Sequence, residues 1–339
     1  VLSARYFVSL AQPPKDQRNG DKKVNKIEVY GIGNAIVDLQ AQVDEDVITK
    51  LGLNKGSMQL VGPAEQNELL IAVSDHKLHQ SSGGAAANSI IAIAQLGGQV
   101  AYGCVVGDDE RGEFYLEEMR ELGVAIKNQP LTGEPTGTSL VLVTPDGERT
   151  MNTHLGATSG FAEHHVNLDL LASSKWLFVE GYLFASPSGQ KAIDTAIKEA
   201  KKSGVKVLLT LGDAFVPEVF GEAVQKAVES ADLIIANLRE TIALTKADSE
   251  EAAFTGLKKL CPKVVMTLSE KGAWVSWDGE EHRIPALKTS VIDATGAGDM
   301  FAGSFLYAIT KGKTPLEAAK LGCLMASKVV SQLGARLAQ

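Results

Sequence analysis

From residue 27 onward the chain repeats one pattern: a short apolar run rich in β-branched residues, a glycine-marked turn, then a stretch of helical length. Residues 27–32 open it as a strand that closes on Gly31 and Gly33. Residues 85–96 read as a helix of small side chains stopped by Gly97-Gly98, and 100–106 as the next strand. An amphipathic helix follows over 109–122, with Phe114, Leu116, Met119 and Leu122 facing inward. Strands at 176–179, 205–211, 233–236 and 264–268 then alternate with helices at 188–202, 221–229 and 250–260. Strands separated by helices build βαβ units, so the pattern predicts an α/β fold. The expected core is a Rossmann-like, three-layer α/β/α domain around a mainly parallel sheet.

Two stretches lose the alternation. Residues 38–61 and 124–154 read as β without intervening helices, and the second contains a hairpin, 138–143 and 149–153, joined at Pro145-Asp146-Gly147. They predict a small β-sheet lid over the carboxyl ends of the main strands, where α/β sheets bind ligands. The expected organisation is therefore a flexible tail over 1–25, a core over 26–37, 62–123 and 155–336, and a lid over 38–61 and 124–154. The acid-poor opening, 1–12, gives the tail a faint transit-peptide character.

Composition narrows the function. The 339 residues carry 33 Lys and Arg against 41 Asp and Glu, a net charge of −8 with no compensating basic block, which argues against nucleic acid or an anionic membrane as partner. The longest uncharged run, 78–107, contains Gln80, Ser81, Ser82, Asn88, Gln95 and two Gly-Gly pairs and cannot lie in lipid. Three dispersed cysteines and six histidines make neither a disulfide framework nor a zinc spacing, and suit a reducing cytoplasm.

Two nucleotide fingerprints fail. Gly31-Ile32-Gly33 would need its third glycine at Ile36, and Gly312-Lys313-Thr314 would need its first at Tyr307. The strongest signal is Asp293-Ala294-Thr295-Gly296-Ala297-Gly298-Asp299, which runs into an apolar helix. Small residues let backbone N–H groups approach a ligand, and the helix start directs its unpaired N–H groups at the same point, as phosphoryl transfer requires. Asp299 stands where it can take a proton from an attacking hydroxyl. Gly33-Asn34 with Asp38 offers acceptors and donors to vicinal hydroxyls, and Gly83-Gly84 with Asn88 opens a helix so poor in bulk that something must pack on it. The same residues also fit plainer roles: Asp299 as a helix cap, Asn34 as a turn, Asp38 as a strand end, and residues 84–88 as helix–sheet packing.

The turn at 293–299 resembles the D-T-x-G-A-G-D signature of the ribokinase-like (PfkB) carbohydrate and nucleoside kinases. Gly83-Gly84-x-x-x-Asn88 resembles their N-terminal signature, Gly33-Asn34-x-x-x-Asp38 their sugar-contacting segment, and Asn237-Leu238-Arg239-Glu240 their N-x-x-E element. Order and spacing agree from about residue 26 to 336. The resemblance implies Asp299 as catalytic base, the N–H groups of Gly296, Ala297 and Gly298 as anion hole, and Asn34, Asp38, Gly84 and Asn88 on the sugar. It implies Asn237 and Glu240 organising Mg²⁺ through water near ATP, Arg149 reaching the phosphates from the hairpin, and Thr267 and Gly272 on the nucleotide, with Ser269 replacing a customary glycine. A monovalent cation such as K⁺ at Asp293, and a homodimer through the lid, are features of some members.

The acceptor is less determined. Ala85 and Ala86 stand where ribokinases have Lys-Gly, and residues 148–155 look most like the adenosine kinase branch. Adenosine is therefore the expected acceptor, a ribonucleoside phosphorylated on a primary hydroxyl. A free sugar (ribose, fructose or 2-keto-3-deoxygluconate) is the rival, and a silent sugar- or nucleoside-binding protein the reading from another class, which Asp299 opposes.

Overall fold

A computed structural model describes residues 27–337; the expected tail, 1–25, with its acid-poor start lies outside the described residues. Among those residues the strands are β1 (Val29–Ile32), β2 (Ile36–Gln42), β3 (Met58–Leu60), β4 (His79–Gly83), β5 (Val100–Gly103), β6 (Val124–Ala125) and β7 (Gly137–Val143). They continue as β8 (Arg149–His154), β9 (Trp176–Glu180), β10 (Lys206–Thr210), β11 (Leu233–Asn237), β12 (Lys263–Thr267), β13 (Ala273–Trp277) and β14 (Glu280–Ile284). They form a nine-stranded sheet in the order β14-β13-β12-β11-β10-β9-β1-β5-β6 and a five-stranded sheet in the order β3-β8-β7-β2-β4. The large sheet is parallel from β12 to β6 and antiparallel only at β13 and β14.

The parallel strands are apolar along their middles, with polar residues confined to their ends, because helices cover both faces. One face carries the helices Ala85–Gln95, Ala297–Thr310 and Pro315–Val329; the other carries Pro187–Ser203, Gly221–Ser230 and Glu250–Leu260. Small residues decide how closely the first pair meets. Gly303 packs on the Ser89 backbone, and a Cβ there would overlap that carbonyl. The close crossing brings the starts of both helices, Asn88 and Asp299, together.

The small sheet alternates strictly. Val37, Leu39, Leu140 and Leu142 are buried on one face with Ile48, Leu69 and Val73, whereas Ile36, Asp38, Met58, Ser139, Met151 and Thr153 face a cavity on the other. Ile48 belongs to a helix, Glu45–Lys50, inside a stretch expected to be wholly β, and Leu69 to a second helix, Pro63–Ala72. Gln66 of that helix fastens it, donating to Thr138 O at 2.8 Å and accepting from Thr138 Oγ1 at 2.5 Å.

The strand content also departs from the expected spans. His79–Gly83, placed in the core span 62–123, pairs antiparallel with β2 in the small sheet, and Val124–Ala125, placed in the lid, extends the large sheet beside β5. In the helix Glu110–Glu121 Met119 is fully buried, and Phe114, Leu116 and Leu122 pack against the core half-buried, as expected; Tyr115 is buried beside them. Tyr115 can be buried because its hydroxyl donates to Gly83 O at 3.3 Å. Cys104, Cys261 and Cys323 are buried free thiols. Among the described residues no helix is long and apolar enough to cross a membrane.

Candidate active site

The 293–299 turn is built from its first residue. Buried Asp293 accepts from Thr295 N at 2.8 Å, from the Thr295 hydroxyl, and from Gly334 N at 2.8 Å. Burial alone would raise its pKa, but these donors, with Arg149 beside them, hold it below the ordinary carboxylate value. Gly296 takes φ +67°, and the helix Ala297–Thr310 starts at the next residue; Ala297 N makes a long bond to Ala294 O at 3.4 Å, and the N–H groups of Gly298 and Asp299 have no carbonyl one turn back. Nothing crowds Gly298. The turn thus presents the donors of an anion hole at the mouth of a positive helix end.

Asp299 lies on the first turn of that helix and accepts from Asn88 Nδ2 at 3.0 Å. Removal from water, with the Asp38 charge nearby, pushes its pKa up to about 7, against the pull of Asn88 and Arg149. A carboxylate with that pKa is suited to take a proton near neutral pH.

Asn34, Asp38, Gly84, Asn88, Arg149, Gly296 and Asp299 line one cavity of about 260 Å³ between the two sheets. The segments carrying Asp38 and Asn88 approach because two glycines let them: a Cβ on Gly83 would overlap the Asp38 carboxylate, and Gly84, at φ +106°, would overlap Asn34 O. Asn88 Oδ1 is buried with no partner. An orphaned acceptor beside a carboxylate calls for a hydroxyl donor from a ligand. Burial raises the Asp38 pKa to about 6, with Arg149 and Arg336 opposing the rise and Asp293 and Glu118 adding to it.

The same cavity also has an apolar lining. Met58, Leu60, Met151 and Leu155 come from the lid and its exit, and Tyr182, Ala185 and Phe215 from the core. The Tyr182 and Phe215 rings are 6.1 Å apart, and the Tyr182 hydroxyl is already committed to Gly212 O at 3.0 Å. These side chains therefore offer mainly apolar or aromatic surface.

Glu180 and Tyr102 were not anticipated from the sequence. Glu180, fully buried at the end of β9, accepts from Asn34 N at 2.5 Å and from Ala86 N at 3.3 Å. Burial lifts its pKa to about 7. Tyr102 donates its hydroxyl to Asn34 O at 3.0 Å, and Thr158 Oγ1 bonds Asn34 Oδ1 at 3.2 Å. These contacts fix both the backbone and the side chain of Asn34. The sequence held one clue: the glutamate closing the apolar run of β9 just before Gly181.

Asn237, Glu240, Thr267 and Gly272 stand apart from this cavity, at the carboxyl edge of β11 and β12, where Asn237 and Thr267 are register partners. Asn237 and Glu240 bond reciprocally: Asn237 Oδ1 accepts from Glu240 N at 2.9 Å, Glu240 Oε2 from Asn237 N at 3.0 Å, and Asn237 Nδ2 donates to Glu240 Oε1 at 2.6 Å. Glu240 is buried, and its pKa rises to about 7. Gly272, at φ +100°, closes the Ser269–Lys271 turn, with Leu268 N donating to its carbonyl at 2.8 Å.

Arg149, at the start of β8, bridges lid and turn, with Nε 3.5 Å from Asp293 Oδ1. At Asp293, the position of the possible monovalent cation, Oδ1 faces the two Thr295 donors and the Arg149 guanidinium, and Oδ2 accepts from Gly334 N.

A model of the pfkB family carbohydrate kinases matches residues 49–339. The adenosine kinase of Saccharomyces cerevisiae is 28% identical over 326 residues, 89% of this chain and 94% of its own length. The structure of an adenosine kinase from Sinorhizobium meliloti superposes with a TM-score of 0.86 at 37% identity, covering 92% of this chain and 96% of that one. That of a probable sugar kinase from Rhizobium etli CFN 42 gives 0.87 at 33%, covering 93% and 96%. With a two-sheet α/β architecture, an anion-hole turn and a buried carboxylate on the helix that follows it, the chain belongs to the PfkB family of carbohydrate kinases.

Proposed function

We propose that this PfkB kinase transfers the γ-phosphoryl group of ATP to a primary hydroxyl of a ribonucleoside, and that adenosine is its best acceptor. The observation that carries the nucleoside is the mixed lining of one cavity. Asn34, Asp38, Asn88 and Asp299 line it together with aliphatic, thioether and aromatic side chains. A ribose suits the polar set and a flat, weakly polar base the apolar set, whereas a free sugar needs a polar partner for every hydroxyl. Relatives of both kinds, adenosine kinases and sugar kinases, are similar to this chain, so the cavity must discriminate.

Asp38 and Asn88 Oδ1 accept from ribose hydroxyls and turn the primary hydroxyl toward Asp299. As that oxygen attacks phosphorus, its proton passes to the Asp299 carboxylate, and the bond to the leaving ADP oxygen breaks. The N–H groups of Gly296, Ala297 and Gly298 meet the charge on the transferred group, with Arg149 reaching in from the hairpin. Among the described residues no cluster of three or more His, Cys, Asp or Glu could hold a metal unaided. Asn237 and Glu240, at the carboxyl edge of β11, would hold Mg²⁺ through water as it came with the nucleotide. Held there, Mg²⁺ would supply charge neutralisation at the phosphates.

The test is a panel of adenosine, inosine, guanosine, ribose, fructose and 2-keto-3-deoxygluconate with Mg-ATP, scored by kcat/KM. Adenosine should exceed every free sugar by at least about tenfold, or ~1.4 kcal/mol of transition-state binding. A free sugar at the top would refute the nucleoside and leave the kinase standing.

A further inference from the structure

The acceptor strand and the anion-hole turn both meet a third segment, residues 331–337, which follows the helix Pro315–Val329. It folds on itself, with the Gln332 side-chain amide donating to Arg336 O. Gly334 N donates to Asp293 Oδ2 at 2.8 Å. Ala335 packs against Gly296 so closely that a Cβ on that glycine would stand 2.8 Å from its Cα and 2.9 Å from its carbonyl oxygen. One residue later the chain turns to the small sheet. Arg336 Nη2 donates to Ser82 Oγ at 2.6 Å, Nη1 lies 3.0 Å from Glu118 Oε1, and Glu118 Oε2 accepts from Ser82 N at 2.6 Å.

This three-residue ring is two-sided. Ser82 is the β4 partner of Val37, the residue before Asp38, and the next β4 residue is Gly83, whose missing Cβ leaves the Asp38 carboxylate its place. The Arg336 side chain is only 14% exposed, so its fork is committed to these partners. A planar guanidinium can bond a hydroxyl and a carboxylate at once; an ammonium meets them only as a point charge.

We propose that Arg336 is a positioning residue for the acceptor: through Ser82 and Glu118 it sets β4 against β2 at Asp38, and through Gly334 and Ala335 the same segment ties that setting to the anion-hole turn. The inference rests on the kinase reading above. It has an electrostatic side as well. Asp38 faces Arg149 from β8 and Arg336 from this segment, against Asp293 and Glu118, with Asp299 and Tyr115 also coupled to it. Without Arg336, Arg149 remains as the chief charge offsetting the burial of the carboxylate.

Wild type, Arg336→Met and Arg336→Lys are compared by steady-state kinetics on the acceptor that the wild type uses best, and by calorimetric binding of that acceptor without ATP. Arg336→Met should raise acceptor KM and Kd about five- to tenfold, change kcat less than about threefold and leave ATP KM unchanged. Its acceptor KM should begin to climb on acidification roughly half a pH unit higher, less than the 1–3 units of a directly contacting pair. Arg336→Lys should recover part of both effects. A lowered Tm with acceptor KM and its pH profile unmoved would mean a structural role only and overturn the proposal. If Arg336→Met does not fold, Ser82→Ala removes one arm of the ring and must reproduce the rise in acceptor KM alone; failure to do so also overturns it. A wild type that binds acceptor but transfers no phosphate sinks the kinase reading instead, and the binding comparison still decides the role of Arg336. A wild type that binds no acceptor refutes both.

Discussion

Asp299→Asn should lower kcat by about 10²–10⁴-fold while acceptor Kd changes little, because the amide keeps the shape and the contact with Asn88 but cannot take a proton. The charge environment adds a second signature. With the Asp299 pKa raised to about 7, the base is protonated and idle below that pH and free above it, so wild-type kcat/KM should rise through an acid limb near neutrality. In the asparagine variant that limb should vanish from the residual chemical rate, and only the acid rise in acceptor KM that belongs to Asp38 should remain. Rapid-quench measurement of the chemical step across pH 5.5–8.5 reads both effects. A variant retaining more than about a tenth of the wild-type rate when chemistry limits turnover would remove Asp299 from the role of base.

Asp38→Ala should weaken acceptor binding about 10- to 150-fold, the equivalent of a charged hydrogen bond of ~1.5–3 kcal/mol, with ATP affinity nearly unchanged. It should also act at a distance. The Asp38 charge is one of the causes lifting the Asp299 pKa, so its removal should move the acid limb of kcat/KM to lower pH. Equal losses for acceptor and ATP, measured calorimetrically, would instead mean damage to the fold.

What the sequence could reveal depended on range. The helix Glu250–Leu260 was legible to the residue, and the strands of the parallel sheet nearly so, because buried strands and capped helices write their own periods and glycine stops. The turn at 293–299 was legible because its small residues and two aspartates stand in unbroken order. His79–Gly83 was not: its run of His, Gln and Ser has no apolar alternation, and only pairing with β2 makes it a strand. The helices Glu45–Lys50 and Pro63–Ala72 were short and interrupted, and their place was set by the apolar face of a sheet still unassembled. The β13–β14 hairpin was passed over although Asp278-Gly279 marks its turn. Glu180, Tyr102 and Arg336 act across separations of 146, 68 and 254 residues, and no local pattern announces such partners.

The two ends of the acceptor site are mounted on different bodies. Asn34 is clamped to the core by Glu180, Tyr102 and Thr158, whereas four residues on, Asp38 rides on the small sheet, already paired with Ser81 and Ser139. Their spacing is therefore a gauge of the angle between the sheets. A ligand that bonds both residues would bear on the core and the small sheet at once, and its binding would favour whichever angle between them suits its length.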